Sequence, residues 1–325
     1  MRSPSANLRV PQPHSVDEAI AIRMQDPESR YLAGGTDLVV NMRRQINVPN
    51  SLIDLAGISE MTEITTSADV LCIGAGVTIA ALAHDNAIAP YQAIIQAAEG
   101  IAGPGHRNMA TVGGNLCQDT RCIYYNQSEW WRSANDFCLK HRGTTCHVAP
   151  QGQRCHAAYS GDLAPALLVF GAEIDIATPE GRRRMPLSEL YVEDGRAHLS
   201  LAEGELVAAI RLPAAPPPSA YAKIRQRGAI DFPLAGVAVA LTANGGKVET
   251  LRLALTGTNS RPLLLDGTER FSARTIDDKL LQEIDRLVQK QVQPMRTTTA
   301  SSNYRRVAAA ALARRLVAQL AQSTS

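Results

Sequence analysis

The chain has 325 residues, of which 45% are hydrophobic and 20% charged, and its formal net charge is +2. This length allows two or three domains with a sizeable core, and the small net charge excludes the broad basic field typical of nucleic-acid-binding proteins. No run reaches the roughly 18 apolar residues of a membrane span, and the N-terminal MRSPSANLRVPQP lacks the apolar stretch of a secretory signal. We therefore expect a cytoplasmic protein, in which cysteines serve more often as metal ligands or reactive thiols than in disulfides.

A short α/β unit is predicted over residues 1–55. Ser15 and Glu18 form the pattern of a capping box at a helix start, and this helix is expected to end near Asp26-Pro27. The stretch RYLAGGTDLVVNMRR then predicts a strand, a tight glycine turn and the start of a helix, and SLIDLAG predicts another short strand.

Two glycine loops are candidates for holding a phosphate-containing ligand. Residues 33–37 (Ala-Gly-Gly-Thr-Asp) lie between a predicted strand and helix, where glycines let backbone N–H groups approach an anion closely. Residues 111–116 (Thr-Val-Gly-Gly-Asn-Leu) form the second loop. Neither is the dinucleotide fingerprint or the P-loop, so two unrelated tight turns remain an alternative to one extended dinucleotide site.

A second unit is predicted over residues 56–213. VLCIGAGVTIAALAHDNAI predicts a strand, a turn and a helix, and AIIQAAEGIAG predicts a further helix. ALLVFGAEIDIATPEGRRRMPLSELY is interpreted as strands separated by turns, and ELVAAIRLP as one more strand. The proline-rich AAPPPS at residues 214–219 marks the expected boundary.

Residues 214–325 are predicted to form a C-terminal domain. Asn244-Gly245-Gly246 lies between two runs rich in Val, Leu and Ala, which is a strong hairpin signal. From Ile276 onward the chain is expected to be helical. The last helix should place its leucines on one stripe that packs on the domain, and its arginines elsewhere. The residues concerned are Leu312, Leu316 and Leu320 on the stripe and Arg305, Arg306, Arg314 and Arg315 away from it.

Five stretches in order, YLAGGTDL, NMATVGGNL, SGDLAPALL, ELVAAIRLP and YAKIRQRGAIDFPLAGVAVAL, resemble the FAD-binding medium subunits of the xanthine oxidase family of molybdenum hydroxylases. The resemblance covers nearly the whole chain, and the ordered set is more specific than any single loop. It implies an α+β chain with a vanillyl-alcohol-oxidase (PCMH)-type FAD-binding fold. A C-terminal α+β domain with a three-stranded antiparallel sheet and helices would follow.

The resemblance also implies FAD contacts at the positions that match the family's motifs. It places the first loop around the pyrophosphate and the second at the flavin end or the phosphates, and it adds an aspartate, an apolar contact and a lysine. These residues are Tyr31, Leu32, Ala33, Gly34, Gly35, Thr36, Asp37, Leu38, Thr111, Gly114, Asn115, Asp162, Val207 and Lys223. The structural alternatives are a helix N-cap for Asp162 and an exposed strand lysine for Lys223. No catalytic residue is expected on this chain.

Residues 117–159, here called the cysteine segment, separate the second glycine loop from the SGD stretch. Four cysteines in this segment, Cys122, Cys138, Cys146 and Cys155, have 15, 7 and 8 residues between them. The expected compartment disfavours disulfides, and four buried structural thiols are not expected in so polar a segment. Structural zinc sites usually contain closely spaced cysteine pairs, and the spacing is not that of the compact ferredoxin run either. Spacing therefore predicts a metal site without identifying the metal.

The stretches NLCQDTRC and YNQSEWWRS, with the three cysteines that follow, resemble one branch of the family, the beta subunits of 4-hydroxybenzoyl-CoA reductases. This resemblance implies a 4Fe–4S cluster bound by Cys122, Cys138, Cys146 and Cys155, with Cys117 as a rival for the first position. It further implies a heterohexamer with a molybdopterin-containing alpha subunit and a 2Fe–2S gamma subunit, and reduced ferredoxin as the electron donor.

The reaction implied by this branch is the reductive removal of the phenolic hydroxyl from 4-hydroxybenzoyl-CoA, with low-potential electrons entering at the cluster. One alternative is the FAD subunit of a hydroxylase that oxidises an aromatic, N-heterocyclic or aldehyde substrate and has a purely structural metal site. Another is a zinc-stabilised FAD-binding or scaffold protein without electron transfer. Metal analysis separates this last possibility from the other two.

Overall fold

A computed structural model describes residues 8–323. The first seven residues, which belong to the N-terminal stretch considered above for a secretory signal, lie outside the described residues, as do the last two. Within the described part the chain forms a two-stranded, a five-stranded and a four-stranded sheet, with helices packed on them. No helix of this part is both long and apolar enough to cross a membrane.

The N-terminal unit contains the predicted helix, strand, turn and second helix. Ser15 Oγ accepts the N–H of Glu18 at 3.1 Å, as expected for an N-cap. The Glu18 carboxylate accepts the N–H of His14 instead of that of Ser15, so the capping box is only half formed. The elements are α1 (Val16–Gln25), β1 (Arg30–Leu32), α2 (Leu38–Arg43) and β2 (Leu52–Asp54), with β1 and β2 parallel.

The middle unit is built on a five-stranded antiparallel sheet with the order β3-β4-β7-β5-β6. Its inner face and the helices beside it supply most of the largest apolar core. The strands are β3 (Ile64–Thr66), β4 (Val70–Gly74), β5 (Glu173–Thr178), β6 (Gly181–Pro186) and β7 (Leu206–Pro213). The helices are α3 (Ile79–His84), α4 (Gln92–Gly100), α5 (Pro104–Arg107), α6 (Val112–Leu116), α7 (Glu129–Ala134) and α8 (Leu163–Leu168).

The stretch beginning ALLVF was interpreted as strand, and this was wrong for its first residues. Ala166, Leu167 and Leu168 lie in α8, and every residue of that helix is buried. A short apolar run that is buried on all sides has no periodicity, so it does not distinguish a helix from a strand.

The C-terminal unit is a four-stranded antiparallel sheet with the order β11-β10-β9-β8, covered by two long helices. Gly245 and Gly246 form the predicted hairpin turn with φ angles of 55° and 72°, which favour glycine. With the short strand Leu263–Leu264, the sheet has one strand more than the predicted three. The elements are β8 (Ser219–Ile224), β9 (Ala235–Asn244), β10 (Lys247–Thr256), β11 (Leu263–Leu264), α9 (Asp278–Gln291) and α10 (Ser302–Ser323).

The last helix buries the predicted stripe of leucines. Arg305 was predicted to lie away from that buried stripe, and this was wrong. The Arg305 side chain is fully buried, and its guanidinium donates to the carbonyl oxygens of Leu234, Met295 and Gly257. Arginine has five N–H donors, so it can satisfy several buried carbonyls at once. The periodicity of residues within one helix does not show such contacts with carbonyl oxygens elsewhere in the chain.

The cysteine segment packs on the N-terminal unit through a small apolar core of its own. Ile46 and Tyr125 are buried there beside three of the cysteines. Arg132, on α7, is 1% exposed and donates to the carbonyl oxygens of Arg44 and Gln45 at 2.8 and 3.0 Å. These two carbonyls follow α2, so the hydrogen bonds fix the segment to the end of that helix.

Candidate functional site

A cleft of about 480 Å³ lies where the first glycine loop, the second glycine loop and the turn after β8 meet. This volume is in the range of cofactor and ligand pockets. Of the predicted FAD contacts, those in the lining are Tyr31, Ala33, Gly34, Gly35, Thr36, Asp37, Leu38, Thr111, Gly114, Asn115 and Asp162. The structure therefore brings together residues that are far apart in the sequence.

The two glycine loops touch at a point where a side chain would not fit. A Cβ atom added to Gly34 would overlap the backbone carbonyl of Met109, just before the second loop. Gly35 has a φ of +69°, a conformation that glycine adopts without strain. The glycine pair is thus required both for the turn and for the close approach of the two loops.

The second loop is stabilised by its own polar side chains. Thr111 Oγ1 accepts the N–H of Gly114 at 3.1 Å, as the N-cap of α6. Asn115 Oδ1 accepts the N–H of Leu163 at 3.1 Å, at the start of α8. Asp162 occupies the N-cap position of α8, but its side chain makes no capping hydrogen bond. The N-cap role considered for Asp162 is therefore performed by Asn115.

The Asp162 carboxylate instead forms a buried polar cluster with two residues of β8. Tyr221 Oη donates to Asp162 Oδ1 at 2.6 Å, and Lys223 Nζ lies 2.9 Å from the same oxygen. Tyr221 and Lys223 are two positions apart, so their side chains leave the strand on the same face. Burial raises the pKa of Asp162, while the Lys223 charge and the Tyr221 hydroxyl oppose this shift.

Three predicted FAD contacts lie outside the lining of the cleft. The Lys223 side chain is only 5% exposed and reaches the cleft through Asp162, so the exposed-lysine alternative is wrong. Val207 is 2% exposed and pairs with Ile176 in the middle sheet, where it belongs to the core. Leu32 is the last residue of β1, and its side chain is close to Gly35.

Sequence reasoning missed three polar residues of the cysteine segment that line the cleft. Gln118 Nε2, Asp119 Oδ2 and Arg121 Nε are buried atoms without a hydrogen-bond partner in the protein. Arg121 forms an ion pair with Asp37 of the first loop, and its guanidinium lies 4.7 Å from the ring centre of Phe232. Buried polar atoms normally have partners, so these atoms are available to a polar ligand in the cleft. Their position directly after the second loop was the available signal.

The four predicted metal ligands surround one small second cavity. Cys122, Cys138, Cys146 and Cys155 are all buried and all line it. Cys117 lines the FAD-sized cleft instead. All six cysteines of the chain are free thiols.

Backbone N–H groups lie beside two of these sulfurs. The N–H of Ala157 points to Cys155 Sγ at 3.4 Å, and backbone N–H groups of Tyr124 and Tyr125 face Cys122. Burial raises the pKa of Cys122 to about 12 and that of Cys155 to about 11, so without a metal both are protonated. A metal would displace these protons, because only the thiolate is a ligand.

The cavity enclosed by the four cysteines has a volume of about 10 Å³. Within residues 8–323 no group of three or more His, Cys, Asp or Glu side chains is placed to hold one metal ion. A zinc ion requires four sulfurs at about 2.3 Å from one centre. An iron–sulfur cluster is larger, and each of its irons takes a separate cysteine. Four cysteine sulfurs are the donor set of either kind of site.

The tryptophans and two of the histidines of the cysteine segment differ in their exposure and in their contacts. Trp130 is 77% exposed and does not shield the cysteines, whereas Trp131 packs beside Tyr124 with 6.2 Å between ring centres. His147 is hydrogen-bonded to the carbonyl of Phe137. Burial lowers the pKa of His156, with the Arg154 charge adding to this shift. Trp131 therefore packs within the segment, whereas Trp130 faces outward.

Two known protein families match most of the chain. Residues 6–215 match the family described as FAD binding domain in molybdopterin dehydrogenase, and residues 219–320 match CO dehydrogenase flavoprotein C-terminal domain. The chain is 32% identical over 265 residues to the aldehyde oxidoreductase FAD-binding subunit PaoB of Escherichia coli, covering 78% of this chain and 81% of PaoB. It is 28% identical over 311 residues to the carbon monoxide dehydrogenase medium chain of Afipia carboxidovorans, covering 94% of each.

The same relationship is found among solved structures. The cyanide-inactivated Cu,Mo-CO dehydrogenase contains a chain that superposes with a TM-score of 0.79 at 25% identity, covering 98% of both chains. Together with the two family matches, this confirms the predicted α+β fold class, a PCMH-type FAD-binding domain followed by a C-terminal domain.

Proposed function

Because the chain belongs to the FAD-binding medium subunits of the xanthine oxidase family of molybdenum hydroxylases, we propose that it is an electron-transfer subunit with two redox sites. FAD would occupy the cleft, and an iron–sulfur cluster would occupy the cysteine cavity. The observation that supports this proposal most directly is that four buried cysteines surround one cavity. Residues close to these cysteines in the sequence also line the cleft.

FAD accepts or donates two electrons together or singly, whereas an iron–sulfur cluster exchanges single electrons. The residues of this chain provide the holding groups. Gly34 and Gly35 open the first loop for a pyrophosphate, and Gln118 and Arg121 offer donors without protein partners. The buried Asp162–Lys223 pair supplies a fixed polar group at one wall of the cleft.

We also propose that the cleft is formed jointly by units divided near residues 55 and 213. The lining contains residues 30–47 of the first unit, residues 101–121 and Asp162 of the second, and residues 227–232 of the third. A cofactor bound by all three units would hold them in fixed positions relative to one another.

The chain would act beside other subunits. The relatives include a carbon monoxide dehydrogenase medium chain and a nicotine 6-hydroxylase medium subunit. The word medium in these names supports one larger and one smaller partner for this chain, which the family resemblance implies to be a molybdopterin-containing and a 2Fe–2S subunit.

Two reactions are candidates for the assembled enzyme. The oxidation of an aldehyde, a heterocycle or carbon monoxide has the better support from the relatives, which include an aldehyde oxidoreductase subunit, a xanthine dehydrogenase subunit and a carbon monoxide dehydrogenase chain. The reductive dehydroxylation of 4-hydroxybenzoyl-CoA, driven by reduced ferredoxin, is supported by the cysteine cavity. Reduced ferredoxin donates one electron at a time at low potential, so a one-electron acceptor on this chain would match it.

A substitution in the cysteine cavity distinguishes these two candidates. Cys138→Ser should reduce ferredoxin-driven turnover of 4-hydroxybenzoyl-CoA at least about tenfold while FAD remains bound, because one ligand is lost outside the cleft. The matched control is Cys72→Ser, since Cys72 lies in β4 away from both cavities. Turnover of an aldehyde or heterocycle with equal rates in wild type and Cys138→Ser would favour the oxidative reaction with a structural metal site.

A further inference from the structure

A partly buried ion pair connects the linings of the two cavities. Lys140 lines the cysteine cavity, and Asp119 lines the FAD-sized cleft. Lys140 Nζ lies 2.6 Å from Asp119 Oδ1, and the two side chains are 4% and 22% exposed. Each cavity therefore contains one end of the same pair, with the cation at the cysteines and the anion at the cleft.

The lysine is fixed in place by further contacts. Its ammonium also donates to the hydroxyl and carbonyl oxygens of Thr120, and it lies 4.4 Å from the ring centre of Tyr125. Thr120 is itself held by its hydrogen bond to the Gly195 carbonyl at 2.6 Å. An ammonium has three N–H donors, and three oxygen acceptors are present. The charge therefore has one defined position.

Lys140 shares the lining of the cysteine cavity with all four cysteines, so its charge lies on the side of the ion pair that faces the sulfurs. The ammonium also has a structural role, because its loss would leave the Asp119 carboxylate without its cation.

Reduction adds negative charge to a redox group, so a nearby fixed cation stabilises the reduced form and raises the reduction potential. A nearby anion has the opposite effect. The contribution of this pair alone therefore favours an electron at the cysteine cavity over an electron in the cleft.

We propose that the Asp119–Lys140 ion pair sets the difference in reduction potential between the cysteine-bound cluster and the flavin. Lys140 is a positioning residue for charge and binds neither group directly. This inference rests on the proposed function, because it assumes a cluster in the cysteine cavity and FAD in the cleft.

The test is a redox titration of the purified full-length chain, with the cluster followed by electron paramagnetic resonance and the flavin by absorbance. Lys140→Met should lower the cluster potential, because the cation is lost and Asp119 is left uncompensated. Asp119→Asn should raise both potentials, because an anion is lost beside the cleft. Lys140→Arg, which keeps the charge, should restore a value near that of the wild type.

Opposite shifts separate an electrostatic role from a structural one. A disturbed fold would move the cluster signal in the same direction, or abolish it, in both Lys140→Met and Asp119→Asn. The double variant should lie between the two single variants, and it keeps the test valid if one single variant loses its cluster. The control is Lys247→Met, since Lys247 is an exposed lysine at the β9–β10 hairpin and should leave both potentials unchanged.

The outcomes distinguish this inference from the function on which it rests. A wild-type chain without iron overturns the proposed cluster and this inference with it. A chain that contains the cluster, but whose potentials do not change in Lys140→Met and Asp119→Asn, overturns the inference alone.

Discussion

Gly34 is the residue on which the contact between the two glycine loops most directly depends. Its α-carbon faces the carbonyl of Met109, where a methyl group would overlap backbone atoms. Backbone atoms in a cap and a turn have little freedom to move, so the loops would have to separate. The proposed pyrophosphate site would then be lost with little change in the rest of the chain.

We expect Gly34→Ala to weaken FAD binding at least about tenfold, which corresponds to about 1.4 kcal/mol of binding free energy. Bound flavin after gel filtration, and titration of the apoprotein with FAD, would measure this. Gly105→Ala is the matched control, because no atom lies within 4 Å of a Cβ at that position. Equal FAD affinity in both variants would contradict the assigned role of the loop contact.

His198 is a second residue with a measurable consequence. It is 7% exposed, and its Nε2 lies 2.9 Å from the Gln118 carbonyl. Burial lowers the pKa of His198 to about 4, while the Asp119 carboxylate opposes this shift and Lys140 adds to it. The folded state thus binds the proton less tightly than the unfolded state. The neutral ring contributes stability above a pH of about 6.5, and this contribution is lost as the pH falls toward 4.

The prediction is that the free energy of unfolding falls more steeply with acid in the wild type than in His198→Gln. Glutamine keeps an N–H donor for the carbonyl but does not titrate. Between pH 7 and pH 4.5 the difference between the two proteins should be about 2 kcal/mol, from about 1.4 kcal/mol per pKa unit. Urea unfolding at several pH values would show it, and parallel pH profiles for the two proteins would refute the assignment.

Among the elements, the cysteine segment is the one whose order should depend most on a metal. Its own core contains Ile46, Tyr125, Ala157 and three of the cysteines, with few other apolar side chains. Binding free energy at such a site is also folding free energy for the segment. The five-stranded sheet, by contrast, has a large independent core.

Removal of the metal should therefore loosen the segment without unfolding the chain. Amide hydrogen exchange should accelerate over residues 122–155 in the metal-free protein and in Cys138→Ser. The protection of β9 and β10, which lie in the separate C-terminal core, should be unchanged. Unaltered protection of the segment after the metal is removed would show that the cysteines pack as ordinary buried thiols.

The elements also show how far sequence reasoning extends. The β9–β10 hairpin was predictable because Asn244-Gly245-Gly246 carries its turn type in local chemistry. The strand order and the fourth strand of that sheet were not, because they depend on pairing between distant residues. At the site, the glycine loops and the four cysteines were found from local pattern and resemblance. Lys140 was not, since its role depends on a partner 21 positions away.

For the whole molecule, the structure shows two cavities joined by a short segment of chain. Gln118 and Asp119 line the cleft, and Cys122 lines the cysteine cavity three positions later. This adjacency would favour exchange of electrons between the two proposed redox groups. It is also the reason why the identity of the metal is decisive, since zinc would make the second cavity purely structural.

The most direct test of this account is the metal content of the full-length chain, purified without oxygen and without its partner subunits. We predict about four iron and four labile sulfide per chain, with both strongly reduced in Cys138→Ser and unchanged in Cys72→Ser. One zinc per chain, or no iron in the wild type, would contradict the two-site account.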